Sequence, residues 1–100
     1  MLVHSVFFWL KPELAPAQRA HFRAEVEKLS AIRSIEKIYV GAPAAVPERS
    51  VTDKTFDVAL TILFGTAAAH DAYQVDPIHL AFVERNKASW TRVQVFDSEE

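Results

Sequence analysis

A chain of 100 residues that is half hydrophobic, with two glycines, five prolines and no cysteine, supplies one globular core and too little length for a second domain. Its 11 Lys and Arg against 13 Asp and Glu give a net charge of −2 with no run of like charge, which disfavours a nucleic-acid binder and a polybasic membrane anchor. Lack of cysteine excludes disulfide staples, thiolate metal sites and thiol nucleophiles, and fits a reducing, cytoplasmic setting.

Residues 2–10, dense in Val, Phe, Trp and Leu and stopped by Pro12, read as a strand; the stretch lacks the basic leading region and small-residue cleavage site of a signal peptide. No apolar run approaches the roughly 20 residues of a membrane helix. From Pro16 to about Leu29 the period changes: Phe22, Val26 and Leu29 recur at helical spacing, with Arg19, Arg23, Glu27 and Lys28 mostly on the other side. Residues 34–40 form a second strand ended by Gly41-Ala42-Pro43, and a long connection runs to about Lys54. Residues 55–64 alternate, with Phe56, Val58, Leu60, Ile62 and Phe64 on one side of a third strand. Thr66 is placed to cap a second helix through Tyr73, which Asp76-Pro77 interrupts and restarts. Residues 90–96 make a fourth strand, and the polar tail from Asp97 to Glu100 is expected to fray.

The order is β-α-β-β-α-β, a ferredoxin-like α+β fold with a four-stranded, mostly antiparallel sheet and helices on one face. Large aromatics of the first strand point away from the helices whichever way it is registered, so the bare sheet face is expected to pair with a second copy. The expectation is a homodimer through that face, its two sheets closing into a dimeric α/β barrel.

His4, Tyr73 and His79 are the polar groups at inward positions. With Asp76 as cap, His79 falls in the first turn of the restarted helix, where the helix dipole disfavours protonation and favours the neutral imidazole a general base needs. Phe82 and Val83 share its face and direct it toward the sheet. A tyrosine hydroxyl nearby can stabilise an enolate-like oxyanion. Each residue also has a plainer reading: a histidine on an apolar face as a hydrogen-bonded core group, a tyrosine at a helix end as a packing residue. His21 and His70 read as solvated. No histidine or carboxylate pair has the spacing that sets two metal ligands on one helix face, so no metal and no cofactor is expected. Serine nucleophile motifs and phosphate-cradling glycine loops are absent.

The segments His4-Ser5-Val6-Phe7-Phe8-Trp9-Leu10-Lys11, Thr55-Phe56-Asp57-Val58-Ala59-Leu60, Tyr73-Gln74-Val75-Asp76-Pro77-Ile78-His79-Leu80-Ala81-Phe82 and the ending from Trp90 to Asp97 resemble the stress-responsive dimeric α/β-barrel (Dabb) family. That family includes olivetolic acid cyclase-like proteins. The resemblance spans nearly the whole chain, and implies one Dabb-type domain over residues 1–100 and a homodimer. In cyclase-like members it makes His79 the base and Tyr73 the carbonyl partner, with His4 in the same pocket. Val58 and Val26 stand where those members carry a pocket histidine and a pocket tyrosine, and Asp76 replaces a further histidine, which makes this pocket more aliphatic. Some relatives hold magnesium through backbone carbonyls, a feature no sequence reveals.

The expected site is a small apolar pocket lined by His4, Phe22, Val26, Val58, Tyr73, His79, Phe82 and Trp90, taking a small apolar or carbonyl-containing ligand. The leading activity is cofactor-independent proton transfer beside a carbonyl, of the cyclase or lyase kind, with His79 as base and Tyr73 as oxyanion donor. The alternatives are a non-catalytic stress-related or ligand-binding protein, and a cofactor-free monooxygenase-like protein.

Overall fold

Strict alternation along β1 (Leu2–Leu10) turns His4, Val6, Phe8 and Leu10 to the buried side of a sheet and Ser5, Phe7 and Trp9 to the other, in a computed structural model that describes all 100 residues. β3 (Val58–Phe64) repeats the pattern with Val58, Leu60, Ile62 and Phe64 buried. It lies antiparallel to β1, and β2 (Lys37–Gly41) and β4 (Trp90–Glu99) flank the pair in the order β2-β3-β1-β4, every neighbour antiparallel. Helices α1 (Pro16–Glu27), α2 (Ala67–Val75) and α3 (Pro77–Asn86) complete the ferredoxin-like α+β fold. Phe22 and Val26 of α1, Tyr73 of α2 and Phe82 of α3 are buried with the even-numbered side chains of β1 and β3 in one core.

Local signals set the helix ends. Thr66 Oγ1 accepts from the Ala69 amide at 3.1 Å to start α2, and the Asp76 carboxylate accepts from the Ile78 amide at 2.8 Å to start α3, with Pro77 at its first position. Between α1 and α3 the buried Glu25 carboxylate takes hydrogen bonds from Arg85 at 3.0 Å, Lys28 at 3.1 Å and Asn86 at 3.3 Å. Arg85 and Lys28 foremost hold its carboxyl well below the ordinary carboxylate range, against the opposing cost of burial.

Four expectations are corrected. The sheet is open and does not close into a barrel: β2 and β4 each pair along one edge only, and four strands fall well short of the roughly eight whose tilt and stagger close a small barrel. β2 begins at Lys37, later than the expected 34. Phe56 lies outside β3 and stacks edge-to-face on Phe7 at 5.0 Å, on the sheet face away from the helices, rather than joining the core. The polar tail does not fray, because β1 offers its whole length as a template and pairs His4 with Asp97 and Leu2 with Glu99. No helix is long and apolar enough to cross a membrane.

Candidate functional site

The helices cover the sheet unevenly. Register places Val93 opposite Phe8, Val95 opposite Val6 and Asp97 opposite His4, so these β4 residues belong to the helix-facing side, yet Val93 and Val95 are exposed at 36% and 41%. A cavity of about 310 Å³ occupies the space between them and the α2–α3 corner. Its walls are mostly apolar, with Phe8, Phe82, Trp90 and the two valines prominent. Its polar groups come from His4, Tyr73, Gln74 and His79.

The α2–α3 break builds the polar end. Ending α2 at Val75 and restarting at Pro77 brings the His79 ring to 4.4 Å from the Tyr73 ring, centroid to centroid, with the planes tilted by 39°. His79 Nδ1–H donates to the Gln74 carbonyl at 3.2 Å, which leaves Nε2 as the nitrogen free for a ligand. Burial is the main influence on this imidazole and lowers its affinity for a proton, with the Gln74 carbonyl pulling the other way and His4 and His70 adding to the decrease. His79 is therefore biased to the neutral form. Tyr73 is buried to 1% exposure, and burial pushes its phenol far above the ordinary range, so it stays a hydrogen-bond donor. Its hydroxyl makes no hydrogen bond within the chain, yet the only buried side-chain polar atom without a partner is Ser34 Oγ; the Tyr73 oxygen thus retains accessible surface.

His4 enters from the sheet side, its ring 5.7 Å from that of Tyr73. Its Nδ1–H donates to Asp97 Oδ1 at 2.5 Å. His70 was expected in solvent; instead it packs on His4 at 5.1 Å and on Phe64 at 5.5 Å, and its Nε2 accepts from the Gln74 amide at 3.1 Å. His4, His70 and Asp97 each bring a potential metal-ligand atom within 4.8 Å of the others. The 2.5 Å between His4 Nδ1 and Asp97 Oδ1 is hydrogen-bond geometry, whereas two ligands on one zinc ion stand about 3.3 Å apart at the usual bond lengths.

Of the expected pocket residues, His4, Tyr73, His79, Phe82 and Trp90 line this cavity. Phe22, Val26 and Val58 do not: they are 1%, 0% and 4% exposed, packed in the core. The sequence reading missed Val93 and Val95, the Gln74 carbonyl and Asp97. Alternation along β4 carried the signal for the valines. Nothing local pointed to Asp97, which reaches His4 across 93 positions.

Residues 2–100 match the family model of the stress responsive A/B barrel domain, and the chain belongs to that family. Among curated proteins none matches the sequence. Solved structures share the fold. A Dabb family protein from Mesorhizobium loti with a ferredoxin-like fold is 24% identical, TM-score 0.80, over 99% of this chain and 95% of its own. A hydroxynitrile lyase from Passiflora edulis is 20% identical, TM-score 0.79, over 97% of this chain and 90% of its own. A dimeric ferredoxin-like protein of unknown function from Thermobifida fusca is 18% identical, TM-score 0.79, over 99% and 90%. At these identities the likeness establishes the fold alone.

Proposed function

We propose that this member of the stress-responsive A/B barrel family catalyses proton transfer beside a carbonyl group without a cofactor, with His79 as general base and Tyr73 as hydrogen-bond donor to the developing oxyanion. The His79 and Tyr73 rings, tilted to one another with centroids 4.4 Å apart at the polar end of an otherwise apolar cavity, support this assignment. With Nδ1–H engaged by the Gln74 carbonyl, His79 Nε2 takes the proton from the carbon. The electron pair left behind moves onto the carbonyl oxygen, where the Tyr73 hydroxyl stabilises it. Apolar walls lower the polarity around that hydrogen bond and strengthen it.

The test uses acetophenone as probe, with exchange of its methyl protons in D2O followed by proton NMR. Wild type is expected to accelerate exchange, with losses of at least about 100-fold for His79→Ala and for Tyr73→Phe. Mandelonitrile serves as a second probe, since its cleavage also needs a base and forms a carbonyl. Tight binding of both probes with neither reaction accelerated would replace the catalytic reading with a small-ligand-binding one.

We also propose that two copies pair through the sheet face that the helices leave bare. Phe96 there is 61% exposed, Phe7 and Phe56 stack beside it, and Arg92 lies 4.1 Å over the Trp9 ring. Light scattering after size exclusion is expected to give twice the chain mass, and the chain mass for Phe96→Glu.

A further inference from the structure

We propose that His4, held in place by Asp97, is the second proton carrier of the cavity, giving the substrate oxygen a proton while His79 removes one from carbon. This rests on the proton-transfer reading above and adds a group that reading does not use. The His4 side chain is 5% exposed, whereas the Asp97 side chain is 43% exposed. Their 2.5 Å hydrogen bond therefore joins a carboxylate in water to an imidazole that lines the cavity. Nδ1 is the nitrogen that Asp97 engages, and Nε2 has no hydrogen-bond partner in the chain and is not among the sealed, unpaired polar atoms. A carboxylate bound to one ring nitrogen fixes the orientation of the other, the arrangement by which histidines are aimed at a reacting atom.

A tie between strands is the competing explanation for this pair. β1 and β4 already share a register running from Leu2 with Glu99 to Leu10 with Trp90, so joining them does not require a buried imidazole. The groups facing His4 are His70 and Tyr73 from α2 and Asp97 from β4, with His79 of α3 beyond Tyr73; β3 presents Ile62 and Phe64. Among the side chains lining the cavity, His4 is the imidazole with a direct route to water through a carboxylate.

The step balances. The C–H bond next to the carbonyl breaks and an N–H bond forms on His79 Nε2, while the electron pair passes to the carbonyl oxygen. The Nε2–H bond of doubly protonated His4 breaks and an O–H bond forms, giving the enol. His79 is then the imidazolium and His4 neutral. Return of a proton to His4 from solvent beside Asp97, and loss of one from His79, restores the starting state. Tyr73 donates a hydrogen bond to the same oxygen throughout and keeps its own proton. His4 is in this account a catalytic residue and Asp97 a positioning residue.

The experiment measures the carbonyl carbon of bound acetophenone, 13C-labelled at that position, together with exchange of its methyl protons. Hydrogen bonds to the oxygen move the carbon resonance downfield. Tyr73→Phe and His4→Gln are each expected to remove part of the downfield shift. Asp97→Asn, which touches no ligand and changes a half-exposed side chain, is expected to remove a smaller part and to slow exchange about tenfold, against about 100-fold for His4→Gln. A carbonyl resonance and exchange rate unmoved by His4→Gln and Asp97→Asn, with Tyr73→Phe and His79→Ala still damaging, overturn this inference alone. If Tyr73→Phe and His79→Ala change nothing either, or wild type binds no acetophenone, the underlying reading falls with it.

Discussion

Two regions of the same helix-facing layer each bury a titratable group, and they treat it in opposite ways. Between α1 and α3 the Glu25 carboxylate receives Arg85, Lys28 and Asn86, and Phe22, Val26 and Leu29 of the same helical stretch are at most 1% exposed. At the β4 end, the His79 imidazole has one bond, to a backbone carbonyl, and the Tyr73 hydroxyl has none within the chain. A saturated polar network locks packing; polar groups left open beside an apolar cavity are available to something that enters. The difference separates a buried charge that serves the fold from a half-buried imidazole and a buried phenol suited to chemistry.

Stability and activity are expected to respond oppositely in the two regions. Glu25→Ala strips the acceptor from three donors and is expected to cost about 2 kcal/mol in denaturant unfolding, with acetophenone exchange per folded molecule unchanged. His79→Ala is expected to do the reverse, abolishing exchange at a cost of about 1 kcal/mol or less. A smaller effect comes from Asp76→Ala: loss of the cap on the Ile78 amide should cost about 1 kcal/mol and loosen the corner that carries His79. Val93→Trp, at the open wall, should fill the cavity and remove acetophenone-induced NMR shifts at Val83, while unfolding moves by only about 0.5 kcal/mol.

pH sharpens the same contrast, with the smallest effects. Below the ordinary imidazole value of 6.5 the unfolded chain takes up a proton that folded His79 resists, so its stability contribution is present above 6.5 and is lost as pH falls through the lower folded value. Glu25 behaves in the same direction in a lower window, its contribution present above 4.5 and lost as pH falls toward about 2. Thermal melts should therefore show two separate declines on acidification, the first flattened by His79→Gln and the second by Glu25→Gln.

Local signals in the sequence mark much of this fold. A dense apolar run marks β1 and alternation marks β3, Thr66 and the Asp76-Pro77 pair mark the starts of α2 and α3, and the face shared with Phe82 and Val83 turns His79 inward. The cavity was half legible. Phe22, Val26 and Val58 satisfied the same inward pattern as Phe82, since periodicity reports which face a residue occupies and not whether a helix lies close enough to seal it. Nothing local in the sequence marks Glu25 for burial, which depends on Arg85 and Asn86 about 60 positions away.

By itself the sequence determined the order of elements, which residues of β3 share a face and the residue types that could move a proton, because these follow from local spacing and capping. Tertiary structure decided three things. The sheet stops at two free edges, the helices leave the β4 end uncovered, and a polar tail becomes a strand whose Asp97 meets His4. Each depends on how elements distant in the chain lie against one another, and hydrogen bonds between strands and gaps between layers exist only once that arrangement has formed.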